Sequence, residues 1–323
     1  MARCLVTSLF IQSPDDPVLR PLLEDGHSVE IVDSLRVRSP SGLAAALDGV
    51  AATLASVEPY SAEVLAQAPD LRVISRTGVG YDAIDVAEAT RRGIVVCTTP
   101  NTNQHAVADF AVLLLLACAR RLVEAVDLVR SGRWTPQPMG LELRGSTVGI
   151  VGTGLIGGEV ARRLSGFGPR LLGYDVVRSP ELEQRLGLRY VGLEQLLAES
   201  DFVTLHAPLL PETRGLIDAA ALARMKPGAF LVNTARGPLV DEAALAEALR
   251  RGQIAGAALD VFAVEPLPPD SPLREVEHLL LTPHVAGSTE QARAAMAAMA
   301  VDNAARVLRG QPPLSCVNPE VLG

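Results

Sequence analysis

Residues 147–157 read TVGIVGTGLIG, and the fold turns on that stretch. TVGIV is a short apolar run, the pattern of a strand buried on both faces. It runs into Gly152, Gly154 and Gly157 at the spacing GxGxxG, and GEVARRLSGF follows as a helix. In that context the glycines have separate tasks. Gly152 makes the tight turn, Gly154 lets backbone approach a pyrophosphate, and Gly157 lets helix and strand pack closely. The helix N-terminus adds N–H groups and partial positive charge for phosphates. The next strand, RLLGYD, ends at Asp175, 18 residues past Gly157. A carboxylate there accepts hydrogen bonds from both adenosine ribose hydroxyls and repels a 2′-phosphate, which favours NAD over NADP. Arg178, three residues on, works against that exclusion.

Working outward, short apolar runs alternate with helical patterns in two series. After residue 146, further strands are expected near 171–173, 202–205, 230–233, 255–259 and 279–281, with helices between them. Before it, strands are expected near 4–8, 29–32, 52–55 and 73–75. Helices are expected near 18–24 and from a Ser61 cap through Gln67. Such alternation predicts parallel sheets wound by crossover helices. Residues 104–131 read as one long helix, entered from the Pro100–Asn101 turn and closed by Gly132. It is apolar on more than one face, as helices buried between domains or subunits are. A last helix over 289–308 is rich in Ala and Met, with the methionines expected in the core. The expected fold is α/β, with two doubly wound parallel-sheet domains. One is a discontinuous flavodoxin-like domain for substrate, 1–100 with 288–323. The other is a Rossmann domain for NAD, 101–287.

Composition sets the limits. The chain has 323 residues, 48% of them hydrophobic and 20% charged, which excludes disorder and suits two domains. The 29 basic residues, only Lys226 being lysine, stand against 37 acidic ones, a net charge of −8. That argues against broad contact with nucleic acid or an anionic membrane. The apolar run 111–119 is too short to span a bilayer, and no secretory signal opens the sequence. Cys4, Cys97, Cys118 and Cys316 lack metal-ligand spacing and read as buried or reduced thiols of a cytoplasmic protein.

A dinucleotide turn does not specify a reaction. Three consecutive strand ends supply the chemistry. NTARGPLVDE puts Arg236 past one strand, offering a bidentate fork for a carboxylate; pairing with Asp241 or Glu242 is the plainer alternative. ALDVFAVEP puts Asp260 at the next strand end and Glu265 in its loop, and LLLTPHVAGS delivers His284. His284 is the best acid/base candidate, and Glu265 could hold its other ring nitrogen. Of the other histidines, His27 and His278 read as solvated, His105 as peripheral, and His206 as a lining residue of the cofactor cleft.

RTGVGYDAID, TPNTNQHAVAD, LLGYD, LHAPLLPETRGLI, MKPGAFLVNTARGPLVDEAAL, AALDVFAVEP and TPHVAGST extend the pattern over almost the whole chain. With them the sequence resembles the D-isomer-specific 2-hydroxyacid dehydrogenase family, most of all its phosphoglycerate dehydrogenase branch without a regulatory domain. The resemblance implies reversible hydride transfer between NAD(H) and a small 2-hydroxy or 2-keto acid. Arg236 would bind and polarise the substrate, with Glu265 and His284 as the catalytic pair. Backbone amides of Gly78, Val79 and Gly80 would bind the substrate carboxylate. Leu155 and Ile156 would meet the pyrophosphate, and Asp175 the ribose. His206, Ala207, Thr234 and Ala235 would line the cofactor. Asp260 would hold the nicotinamide amide, and 284–287, His284 through Gly287, would flank the ring. Glu265 argues against the formate-oxidising branch, which usually has Gln there. The loop LASVEPYS carries Ala55 where phosphoglycerate enzymes commonly place an Arg for the phosphate, leaving Arg76 as the nearby basic group. Glyoxylate or hydroxypyruvate reduction, a phosphonate-bearing substrate, and an NADH-responsive corepressor are the competing readings. A homodimer through the NAD-binding domain is implied as well, with no nucleic-acid or membrane partner.

Overall fold

The computed structural model describes residues 1–33 and 36–323. The chain forms two compact units, residues 1–103 with 289–323, and residues 104–288.

In the first unit, β1 (Arg3–Val6), β2 (Ser28–Ile31), β3 (Val50–Ala55), β4 (Val73–Arg76) and β5 (Val95–Cys97) form a wholly parallel sheet in the order β2-β1-β3-β4-β5. This is the flavodoxin-like winding. Leu5, Ile74 and Val96 pack one face with Leu43, Val64 and Leu65 of helices Pro40–Ala46 and Ala62–Ala66. Cys4, Val6, Leu54 and Cys97 pack the other with Ala297, Ala300 and Ala304 of helix Glu290–Leu308. Thr289 caps that helix, accepting from the Ala292 amide, and Met296 is buried in it. Its small side chains let it sit close enough for Ser75 Oγ to donate to the Ala300 carbonyl at 2.7 Å.

In the second unit, β6 (Thr147–Val151), β7 (Arg170–Tyr174), β8 (Arg189–Tyr190), β9 (Phe202–Leu205), β10 (Phe230–Asn233), β11 (Gly256–Leu259) and β12 (Leu279–Leu281) are likewise all parallel. Their order, β12-β11-β10-β9-β6-β7-β8, is the Rossmann winding. Val148, Ile150, Val232 and the stacked pair Phe202–Phe230 pack under helices Gln104–Ala119 and Leu155–Ser165. Val203, Leu205 and Leu231 pack on the opposite face. Both sheets are covered on both faces, which is why their strands read as unbroken apolar runs.

The long helix expected over 104–131 is two helices, Gln104–Ala119 and Leu122–Arg130. Arg121 breaks it with a left-handed backbone, φ 48°. The Leu141 amide takes the Ala119 carbonyl at 2.7 Å, the acceptor that a fourth-residue bond of a continuing helix would have used. Strands β5 and β8 were not expected from the sequence. β8 has only two residues, and β5 only three.

Candidate active site

The sheet order of the second unit puts its switch point between β6 and β9, and ligands of such sheets bind beyond the carboxyl ends there. Gly152 sits at that point with φ 86°, and an added Cβ would lie 2.6 Å from the backbone of His206 and Ala207. A Cβ on Gly157 would lie 1.9 Å from the Gly152 carbonyl oxygen. Gly154 has no such neighbour, and it begins helix Leu155–Ser165 without a side-chain cap. The first helical amides are thus left to a ligand from outside the helix, with open space at the glycine that precedes them.

Asp175 follows β7. Its Oδ2 accepts from the Thr153 amide at 2.6 Å and Thr153 Oγ1 at 3.2 Å, and its Oδ1 from the Val177 amide at 3.0 Å. These bonds fix the carboxylate beside the glycine turn and leave lone-pair capacity for hydroxyl donors. Arg178 lies 5.8 Å over the Tyr190 ring. Beyond β9 and β10, His206 Nδ1 and Thr234 Oγ1 are buried with no partner among the described residues. His206 Nε2 is 2.9 Å from Thr204 Oγ1, and burial pushes the ring down to about 3, so it is neutral. Orphaned buried polar atoms are uncommon and ask for a polar partner. With the open helix end and the held carboxylate, they fit a dinucleotide.

The expected acid/base pair, Glu265 and His284, lies on the same carboxyl edge. His284 Nδ1 is 2.7 Å from Glu265 Oε2, and Glu265 Oε1 accepts from the Phe262 amide at 2.9 Å. Burial raises the Glu265 carboxyl, but the His284 hydrogen bond and charge, the Phe262 amide and the Arg236 charge outweigh it and hold it below the ordinary value. An ionised Glu265 makes Nδ1 the protonated nitrogen and leaves Nε2 to take a proton. His284 is held at φ 54°, a conformation costly for a residue with a Cβ.

Asp260 maintains that conformation. It is fully buried, and its Oδ1 accepts from Thr282 Oγ1 at 2.6 Å and the Val285 amide at 2.9 Å. Its Oδ2 accepts from the Ala286 amide at 2.8 Å. Burial raises its carboxyl, against those three hydrogen bonds and the His284 charge. Both oxygens therefore already organise the 282–286 turn, a task the sequence did not suggest.

Arg236 follows β10 in a turn held by buried Asn233, whose Nδ2 donates to the Arg236 carbonyl at 2.8 Å and whose Oδ1 accepts from the Ala235 amide at 3.0 Å. Asn233 was missed as a site residue, although an Asn two residues before a turn amide is an Asx-turn signal. Gly237 comes next. A Cβ there would lie 1.9 Å from the Phe262 carbonyl carbon, so only glycine lets the Arg236 turn abut the loop that carries Glu265. Asp241 and Glu242, the alternative partners of Arg236, accept from the Ala244 and Ala263 amides.

In the first unit, Arg76 ends β4 and the loop 77–80 follows it. None of the amides of Gly78, Val79 and Gly80 donates a hydrogen bond among the described residues. Arg76, expected as a basic group for substrate, directs Nε to the Gly80 carbonyl and Nη1 to the Thr77 carbonyl, both at 3.1 Å. Glu58 and Tyr60, buried near these strand ends, were not singled out in the sequence, because a short polar loop gives no sign of burial. His105 and His278 pair with Glu159 and Glu124 at the surface. Cys4, Cys97 and Cys118 are buried thiols, pushed up by burial to about 11, 12 and 12. Among the described residues no helix is long and apolar enough to cross a membrane.

Known proteins resemble this chain in sequence and fold. Residues 112–286 match the model of the D-isomer specific 2-hydroxyacid dehydrogenase NAD binding domain. A glyoxylate reductase of Korarchaeum cryptofilum is 50% identical over 270 residues, 82% of this chain and 81% of that one. A D-3-phosphoglycerate dehydrogenase of Mycobacterium leprae is 45% identical over 252 residues, 78% of this chain and 48% of that longer one. The crystal structure of the TT0316 protein of Thermus thermophilus superposes with TM-score 0.88 at 40% identity, over 98% of this chain and 99% of that one. Similarity of this extent, on a fold whose dinucleotide turn and Glu–His pair are in place, makes the chain an NAD-binding oxidoreductase and a member of the D-isomer specific 2-hydroxyacid dehydrogenase family.

Proposed function

We propose that the protein interconverts a small 2-keto acid and its 2-hydroxy acid, with an uncharged substituent of glyoxylate or hydroxypyruvate size. The observation that carries the reading is the 2.7 Å Glu265–His284 pair on the strand edge that also bears Arg236. NAD, when bound, supplies or accepts the hydride at C2. Gly152, Gly154, Leu155, Ile156 and Gly157 hold its pyrophosphate, and Asp175 its ribose. His206, Ala207, Thr234 and Ala235 line it, and His284 and Gly287 flank the nicotinamide. Asp260 keeps one lone-pair site for the nicotinamide amide. Arg236 and the Gly78, Val79 and Gly80 amides take the substrate carboxylate. In reduction, protonated His284 gives its Nε2 proton to the forming hydroxyl; in oxidation neutral Nε2 takes it. Glu265 orients the ring and stabilises its charged form.

Residues 56–61, SVEPYS, support the uncharged substituent, since they leave the loop after β3 without a cation for a phosphate; Ala55, expected in that loop, is the buried last residue of the strand. The name of the Korarchaeum relative points the same way. The exposed apolar face Leu122, Val123, Val126 and Val129, followed by exposed Trp134, Met139 and Leu141, supports a homodimer through the NAD-binding unit. Raised, unpaired thiols suit the reducing cytoplasm.

Loss of NADH absorbance with glyoxylate, hydroxypyruvate and phosphohydroxypyruvate, with NADPH in parallel, tests the reading. We expect kcat/KM for one of the first two to exceed that for phosphohydroxypyruvate by at least about tenfold. The opposite preference would establish the phosphoglycerate reading, which the Mycobacterium relative favours. Turnover of none would overturn both.

A further inference from the structure

The loop 77–80 is folded by its carbonyls. Thr77 O and Gly80 O both accept from the Arg76 guanidinium at 3.1 Å, and Gly78 O accepts from the Thr99 amide at 3.0 Å. With three carbonyls drawn into protein, three successive amides remain as donors, the arrangement of a backbone anion nest. The guanidinium lies flat against the loop: a Cβ on Gly78 would be 2.9 Å from Arg76 Nη1 and 3.1 Å from Cζ. A planar fork can bridge two carbonyls in this way, whereas an ammonium is a single point.

A buried polar cluster lies at the end of the adjoining strand: Ala55, the last residue of β3, pairs with Arg76, and Glu58 and Tyr60 follow it by three and five residues. Glu58 is 2% exposed, and its Oε2 accepts from the Ser56 amide at 2.7 Å. Glu58 Oε1, Tyr60 Oη and Thr53 Oγ1 are buried without a hydrogen-bond partner among the described residues. Burial raises the Glu58 carboxyl, and the Arg76 charge is among the influences that draw it back. Tyr60 feels the charges of both. Swinging Arg76 out to a substrate would strand two loop carbonyls and separate the guanidinium from a buried acid, and each loss is costly.

We propose that Arg76 is the positioning residue of the substrate-carboxylate nest, holding the 78–80 amides outward through the Thr77 and Gly80 carbonyls, with buried Glu58 as the counter-charge that keeps it there. The proposal rests on the reading of 78–80 as the carboxylate loop. It assigns Arg76 no contact with substrate, so a phosphate on the substrate gains nothing from it.

The test uses Arg76→Met, Arg76→Lys, Glu58→Gln, the Arg76→Met/Glu58→Gln double variant and Val79→Pro in the full chain. Glyoxylate and phosphohydroxypyruvate kinetics, NADH affinity and thermal melts are recorded for each. Arg76→Met should raise KM for glyoxylate about 10–100-fold, lower kcat less than about threefold, and leave NADH affinity unchanged. Arg76→Lys should stay near Arg76→Met, because one ammonium does not span both carbonyls. Glu58→Gln should raise KM by less, and the double variant should be no worse than Arg76→Met, as for two residues acting through one contact. If Arg76→Met does not fold, Arg76→Lys and Glu58→Gln carry the same KM test. An unchanged KM in these variants, full rescue by lysine, or a loss confined to phosphohydroxypyruvate would overturn the proposal. Val79→Pro deletes the middle amide. If it raises KM while the Arg76 variants do not, only the role of Arg76 falls; if neither raises it, the reading of the loop falls first.

Discussion

His206 and His284 stand past the carboxyl ends of two strands of one sheet, β9 and β12, with β10 and β11 between them, and the protein gives them opposite natures. His206 directly follows β9, is pushed to about 3 by burial, and keeps an unpartnered Nδ1. His284 stands three residues past β12, is 41% exposed at the side chain, and gives Nδ1 to a carboxylate. A ring without a counter-charge in a dry place is a neutral hydrogen-bonding wall. A ring with a carboxylate behind it and solvent or substrate in front is placed to pass a proton. Residue type is thus a poor guide to role, and the partner of the second nitrogen a good one.

The sharpest way to break this contrast is to delete each ring. His284→Ala should lower kcat by about 10²–10⁴-fold with NADH affinity retained. His206→Ala should act mainly on NADH affinity, read by fluorescence titration. Comparable kcat losses from both would erase the distinction. Next, Glu265→Gln keeps the shape and a hydrogen bond but removes the charge that fixes the His284 tautomer. A loss in kcat of about 10²-fold is expected in steady-state kinetics, since the imidazolium has lost its counter-charge.

The smallest effect concerns stability. An unfolded His206 takes up a proton near pH 6.5, whereas the folded ring stays neutral down to about 3. Between those values the unfolded state binds more protons, so stability falls as pH drops, with a limiting slope of about 1.4 kcal/mol per pH unit. Melting curves from pH 7 to 4 should show a shallower decline for His206→Gln than for the natural chain. Parallel declines would mean that the folded ring protonates normally.

Much of this site was legible because its chemistry is tied to strand ends. TVGIVGTGLIG, NTARG and TPH each announce a buried run followed by a polar turn, and the parallel winding brings such turns to one edge. The pairing of His284 with Glu265 followed from that logic. Other features depend on backbone meeting backbone at long range. Nothing within the sequence of 104–131 shows that Leu141 returns to take the Ala119 carbonyl and end a helix. Asp260 reads as a strand-end ligand, yet its bonds to Thr282, Val285 and Ala286 span more than 20 positions. Glu58 sits in a polar loop, where burial leaves no periodic trace.

The inward-turned carbonyls of 77–80 bear on how the protein can change. A specificity written in side chains is editable one codon at a time, but an anion nest made of peptide groups carries no side-chain identity. Replacing Val79 by any residue but proline would leave its N–H in place. Alanine scanning of the loop would register Gly78, where a methyl group meets the Arg76 guanidinium, and pass over the amides themselves. On the reading of 78–80 as the carboxylate loop, recognition of the acid would stay constant while the substrate range drifts through the side chains around it.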